Sequence, residues 1–112
     1  MNMEEICFQI ISNVGAARSN YIEAISCAKK GQLEKAHSLV EEGEEFYKQA
    51  HHVHGDLVAK DAGDNKVDLS LILMHAEDQL MSTETTKIYA CEFIDLYERL
   101  AKSGSLEYLQ EV

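Results

Sequence analysis

The chain has 112 residues, 20 acids against 10 bases, a net charge of −10, no proline and no tryptophan. Such a surface repels phosphate backbones and anionic lipid, which argues against nucleic-acid and membrane-surface binding and favours a basic protein partner. The length suits one domain, residues 1–112, whose modest core would gain from oligomerisation. Three widely spaced cysteines, Cys7, Cys27 and Cys91, form no C-x-x-C pair, so they are expected to be small buried hydrophobes in a reducing compartment. Met1–Glu5 has neither the basic nor the apolar region of a signal peptide, and no apolar run approaches the roughly 20 residues of a membrane span. A soluble, cytoplasmic protein with no membrane insertion is the expectation.

The first helix is predicted from Met3 or Glu4 to about Lys30, with Asn2 as N-cap and two acids in the first turn. Ile6, Ile10, Val14, Ala17, Tyr21, Ile25 and Ala28 recur at steps of three or four and define one face. Gly15-Ala16-Ala17 makes a narrow waist, and Lys29-Lys30-Gly31 is a helix-ending signal.

A second helix is predicted from about Leu33 to Asp61. Its face is Leu33, Ala36, Val40, Gly43, Tyr47, Ala50 and Leu57, and the small residues at 36, 43 and 50 suggest close helix–helix contact. The short connection favours an antiparallel hairpin with the first helix. His51, His52 and His54 fall late in this segment, but no carboxylate or thiolate nearby completes a local set of metal ligands. Asp61 to Asp68 reads as a loop, with Asp68 as the next N-cap.

The third helix, Leu69 to about Lys102, carries more than one stripe. Leu69, Leu73, Ala76, Leu80, Ala90, Ile94 and Tyr97 form one seam, interrupted by Thr83 and Lys87. Leu71, Met74, Asp78, Met81, Thr85 and Ile88 form a second seam in coiled-coil rhythm, with Asp78 in an inward position. Between them runs an uncharged polar row, His75, Gln79, Ser82 and Thr86, flanked by Ile72 and Tyr89.

Two apolar seams imply two partners. One is the hairpin of the first two helices; the other is a second copy of the chain. Copies of Asp78 gathered on a symmetry axis would have to share protons or bind a hard divalent cation such as Mg²⁺. A solvent-facing Asp78 is the plain alternative. His75 is the candidate nucleophile, because a neutral imidazole is nucleophilic near pH 7, and Gln79 could donate amide hydrogens to an anion held there.

The segment His75-Ala76-Glu77-Asp78-Gln79-Leu80-Met81 resembles the active-site segment of the enzyme IIA components of lactose/cellobiose/chitobiose-type sugar phosphotransferase systems. Gly15-Ala16-Ala17-Arg18-Ser19 resembles the family's first-helix motif, and the resemblance covers nearly the whole chain. It implies an all-α fold: an antiparallel three-helix bundle per subunit, assembled as a homotrimer around a coiled-coil-like core. It implies phosphorylation of His75 at Nε2 by the phosphocarrier HPr and onward transfer to a cysteine of the cognate IIB component. Asp78 matches the aspartate that gathers around a divalent cation on the threefold axis. Gln79 stands where many members carry histidine, and His54-Gly55 stands where Gln-Thr is common. Gln79 and Ser82 are the residues expected around the phosphate. Ala76 resembles the cellobiose and chitobiose branch more than the lactose branch, which points to a β-linked disaccharide.

Two other readings compete. One is a two-component histidine phosphotransfer domain, although the lysine and glycine usual after that histidine are missing. The other is a non-enzymatic helical adaptor with a structural metal. Residues 103–112 are expected to be a short docked helix or a flexible tail.

Overall fold

The computed structural model describes residues 1–105, and the expectation for the tail beyond Ser105 lies outside them. Three long helices run up, down and up: α1 (Met3–Lys29), α2 (Leu33–Ala62) and α3 (Leu71–Lys102). No strand occurs among the described residues. No described helix is long and apolar enough to cross a membrane.

The helix ends follow from local chemistry. The Asn2 side chain accepts from the Glu5 amide at 2.9 Å, satisfying a first-turn donor that has no carbonyl partner. At the other end of α1, Gly31 takes φ 81°, and the Gln32 amide reaches back to the Cys27 carbonyl at 2.9 Å. This left-handed closure reverses the chain within Lys30–Gln32 and sends α2 back along α1.

The third helix starts two residues later than the sequence suggests. Ser70, not Asp68, is its N-cap, and the Ser70 Oγ accepts from the Leu73 amide at 3.2 Å. The loop before it is tied down by Asp61, whose carboxylate accepts from the Val67 amide at 2.9 Å. Leu69 is therefore outside the helix and 83% exposed, so it does not belong to the inner seam. A serine hydroxyl competes well with aspartate for this cap, and the pattern of acids and leucines did not reveal which would win.

The core forms three levels along the rod. At one end Cys7, Ile10 and Val14 of α1 meet Ala50 and Leu57 of α2 and Leu73, Ala76 and Leu80 of α3. Ala17, Tyr21 and Ala90 occupy the middle, with Phe46 and Tyr47 against them. Ala24, Cys27 and Ala28 pack with Ala36 and Ile94 at the far end. Full burial of each large side chain here contributes roughly 1.5–3 kcal/mol. The predicted α1 face is present, rotated slightly so that Cys7, Ala24 and Cys27 are buried while Ile6 and Ile25 are only half-buried.

α2 and α3 both pack extensively on α1 and touch each other much less. Polar contacts also bridge them. In the middle level, Glu44 of α2 pairs with Lys87 of α3 and accepts from the Tyr21 hydroxyl of α1 at 3.4 Å. The Lys87 ammonium also lies 5.5 Å from the Tyr47 ring centroid. Lys87 thus does not break the inner seam as expected from its charge: its stem lies along the helices and its head finds a carboxylate and an aromatic face. Thr83 is likewise within the seam, 1% exposed, and its hydroxyl has no hydrogen-bond partner among the described residues.

The cysteine expectation holds for two of three. Cys7 and Cys27 are buried, whereas Cys91 is exposed. Position 91 directly follows buried Ala90, and one step of about 100° around a helix carries a side chain out of the core. Burial, with the nearby Glu77 carboxylate second, pushes the Cys7 thiol above its usual value.

Two outcomes are expected from the middle level. A Cβ on Gly43 would sit 2.7 Å from Cε1 of the fully buried Tyr21 ring. Gly43→Ala should therefore lower unfolding stability by about 1–2 kcal/mol in urea titration, overpacking outweighing the gain in helix propensity. Burial, then the Glu44 carboxylate, raises the Tyr21 phenol well above the usual tyrosine range, and burial with Glu84 and Glu44 raises Tyr47. Above pH 10 the unfolded chain loses phenolic protons that the folded chain keeps. Stability should be unaffected by these groups below that pH and fall as pH rises beyond it, which thermal melts at stepped alkaline pH would measure.

Candidate functional site

The N-terminal half of α3 presents two different surfaces away from the core. Every buried residue of this half, Leu73, Ala76, Leu80 and Thr83, lies on one face, directed at α1 and α2. Helical geometry then turns His75 and Asp78 outward. Both are exposed, and they occupy adjoining rows as their spacing predicts.

His75 lies in a shallow cleft of about 620 Å³ between α1 and α3. Phe8 and Ile11 of α1 line one wall, and Leu71 and Ile72 of α3 line the other. Among the described residues, no charged side chain lines it. One turn further along the row, Gln79 and Ser82 are half-buried, so the polar row runs from the exposed imidazole toward the α1–α3 seam. The Thr86 hydroxyl is engaged by its own helix, donating to the Ser82 carbonyl at 2.9 Å. It is correspondingly less free to bind a ligand than the Gln79 amide.

Phe8 and Ile11 are the functional surroundings that the motif around His75 does not contain. Ile11 is legible as the edge of the α1 core face. Phe8 is one step off that face, and only the packing of α1 beside α3 brings it to His75. The sequence signal would have been a large aromatic standing outside the buried period of its own helix.

Asp78 occupies the other surface. Its row, Leu71, Met74, Met81 and Ile88, is exposed along its whole length in the single chain, with Leu71 84% and Met81 64% exposed. The second seam is thus real as an unpartnered apolar stripe. Among the described residues, no three His, Cys, Asp or Glu side chains converge on a point that could hold a metal ion. Asp78 alone offers one carboxylate, so a single chain cannot build a cation site there.

The three clustered histidines of α2 diverge. His51 lies beside the Tyr47 ring, with centroids 6.0 Å apart. His52 faces Asp56 of its own helix at 3.7 Å. His54 turns inward and donates from Nε2 to the Glu77 carboxylate of α3 at 2.7 Å. Glu77 projects from the side of α3 that faces α2, away from the imidazole of His75, so this pair braces the helix bearing His75 without entering its cleft.

The arrangement is one exposed imidazole in an open apolar cleft, with the half-buried side chains of Gln79 and Ser82 further along the same row of α3. It suits accepting a group carried in by another macromolecule, since the cleft is too open to enclose a small substrate. Comparison with known proteins gives this a family. The model of the "PTS system, Lactose/Cellobiose specific IIA subunit" matches residues 5–98. The lichenan-specific phosphotransferase enzyme IIA component of Bacillus subtilis is 40% identical over 100 residues, covering 89% of this chain and 91% of the relative. The crystal structure of the PTS cellobiose-specific enzyme IIA from Bacillus anthracis superposes with a TM-score of 0.86 at 40% identity, covering 91% of this chain and 94% of that one. The IIA(chitobiose) chain of the IIA(chitobiose)–HPr complex of the Escherichia coli phosphotransferase system superposes at 0.79 with 33% identity, covering 90% and 98%. By sequence and by fold, the chain belongs to the lactose/cellobiose-specific IIA subunits of the sugar phosphotransferase system.

Proposed function

We propose that this IIA subunit carries a phosphoryl group on His75, accepting it from phospho-HPr and passing it to a cysteine of its cognate IIB component in the cytoplasm. The observation that carries the reading is the exposure of His75 within an uncharged polar row. The imidazole nitrogen attacks phosphorus in line; the new N–P bond forms as the donor's N–P bond breaks, and the donor imidazole regains its lone pair. The second transfer reverses the roles: a thiolate sulfur bonds to phosphorus and the His75 nitrogen leaves. Such chemistry asks the protein for positioning and charge stabilisation above all. Gln79 supplies amide hydrogens to the phosphoryl oxygens, and Ser82 supplies a hydroxyl one turn further away. Among the described residues no carboxylate lines the cleft, which spares the phosphorylated form from repulsion at close range. The acidic surface beyond the cleft attracts a basic donor over longer distances.

The transported sugar is a β-linked oligosaccharide of the cellobiose or chitobiose kind. Support comes from Ala76 beside the reactive histidine, and from relatives whose specificities are lichenan, cellobiose and chitobiose.

The working form is a homotrimer, with the Leu71–Ile88 stripes of three α3 helices packed on a common axis. The support is the length of that exposed stripe and its coiled-coil rhythm. Threefold symmetry brings three Asp78 carboxylates together, and a hard cation such as Mg²⁺ relieves their repulsion with oxygen ligands of the type it prefers. The ion's part is assembly; it stands on a different face of α3 from His75.

Incubation with phosphoenolpyruvate, enzyme I and HPr should place acid-labile phosphate on the wild type and none on His75→Ala, read by intact-mass spectrometry. Equal labelling of both would remove His75 from the mechanism. For Asp78→Leu, light scattering should still report a trimer, at least as stable as the wild type, because an apolar residue suits the seam. Equilibrium dialysis of the same variant should show loss of the bound divalent ion; retention of stoichiometric metal would refute the axial site.

A further inference from the structure

The His75 cleft contains one large apolar side chain that neither the fold nor the proposed trimer uses. Ile11 and Ile72 are half-buried and pack against the core at that end of the bundle. Leu71 belongs to the stripe assigned to subunit packing. Phe8 stands on α1, on the opposite wall from that stripe, and remains 53% exposed. Its helix does not need it: the neighbouring Cys7 and Ile10 fill the core at this level. An aromatic ring left in water beside a reactive imidazole is a costly feature unless something covers it.

What covers it follows from the chemistry of the site. Group transfer to His75 requires the incoming phosphorus to come within about 3–3.5 Å of the ring nitrogen. A protein that carries phosphorus on one of its own side chains must press the surface around that side chain onto the walls of the cleft. Among the described residues no charged group lines those walls, so the area immediately around the reacting atoms is recognised by apolar contact. Buried aromatic side chains near the centre of an interface commonly dominate its energy. Resting on the phosphocarrier reading above, we propose that Phe8 is the docking anchor for the protein that phosphorylates His75, holding the donor's apolar rim against α1 while the imidazole attacks. Phe8 touches no reacting atom in this arrangement. It positions the donor, and its removal acts on encounter and dwell time instead of on the chemical step.

The test compares wild type, Phe8→Ala and Phe8→Leu as phosphoryl acceptors from phospho-HPr, with the oligomeric mass of each measured in parallel. Phe8→Ala should raise KM for phospho-HPr about tenfold, with kcat within twofold and an unchanged mass. Phe8→Leu should recover most of the loss, because it restores apolar volume. An unchanged KM in Phe8→Ala overturns the anchor while leaving phosphorylation of His75 intact. A fall in mass also overturns it, by showing that Phe8 belongs to the contact between copies. A wild type that takes no phosphate from phospho-HPr removes the phocarrier reading itself and the anchor with it.

Discussion

The close approach of α1 to both of its neighbours is the constraint on which the rest of the bundle depends. Ala17, Ala24 and Ala28 leave α1 thin enough for two helices to pack on it, and Gly43 lets α2 approach the Tyr21 ring closely. α2 and α3 therefore share a spine more than they share a surface. Three polar pairs join them at intervals along the rod: His37 with Glu98, Glu44 with Lys87, and His54 with Glu77. The middle pair is the best supported of the three, because Tyr21 donates to the same carboxylate and Tyr47 lies under the same ammonium. It joins all three helices at one level.

This division leaves α3 with most of its circumference outside the subunit. One side enters the core. The remainder carries the His75 imidazole and an apolar stripe on separate rows. A histidine and an aspartate three residues apart suggest an acid–base pair when read as letters. On the helix they serve different neighbours, since the rows diverge toward α1 in one case and toward the open stripe in the other. An imidazole on a long helix braced by core packing suits the proposed phosphoryl transfer, where small errors of position are expensive.

Much of this was legible before any coordinates. The lengths of the helices, the hairpin at Gly31 and the two seams of α3 follow from periodicity and turn chemistry, and they agree with the structure to within about two residues. The outward position of His75 follows from the same periods, whereas Asp78, read as an inward position of the second seam, is exposed in the single chain. Lys87 and Thr83 read as interruptions in the sequence because a charge and a hydroxyl count as polar in any pattern. Whether either is buried depends on what the opposite helix offers: Glu44 and Tyr47 for Lys87, and nothing for the Thr83 hydroxyl. The start of α3 was displaced for a similar reason, because Asp68 and Ser70 are both good caps and only the path of the loop selects between them.

The sequence by itself determined the fold class, the polar row containing His75 and the exposed stripe containing Asp78, because helical period is a local property of the chain. Tertiary structure decided what stands beside those rows. Phe8 lies 67 positions before His75, and no spacing rule connects them; the parallel packing of α1 and α3 does. His54 and Glu77 became partners for the same kind of reason, across two helices that run in opposite directions. Period places a side chain on a face. The identity of the neighbour that the face meets is a long-range fact, set by which helices share the spine and at what level.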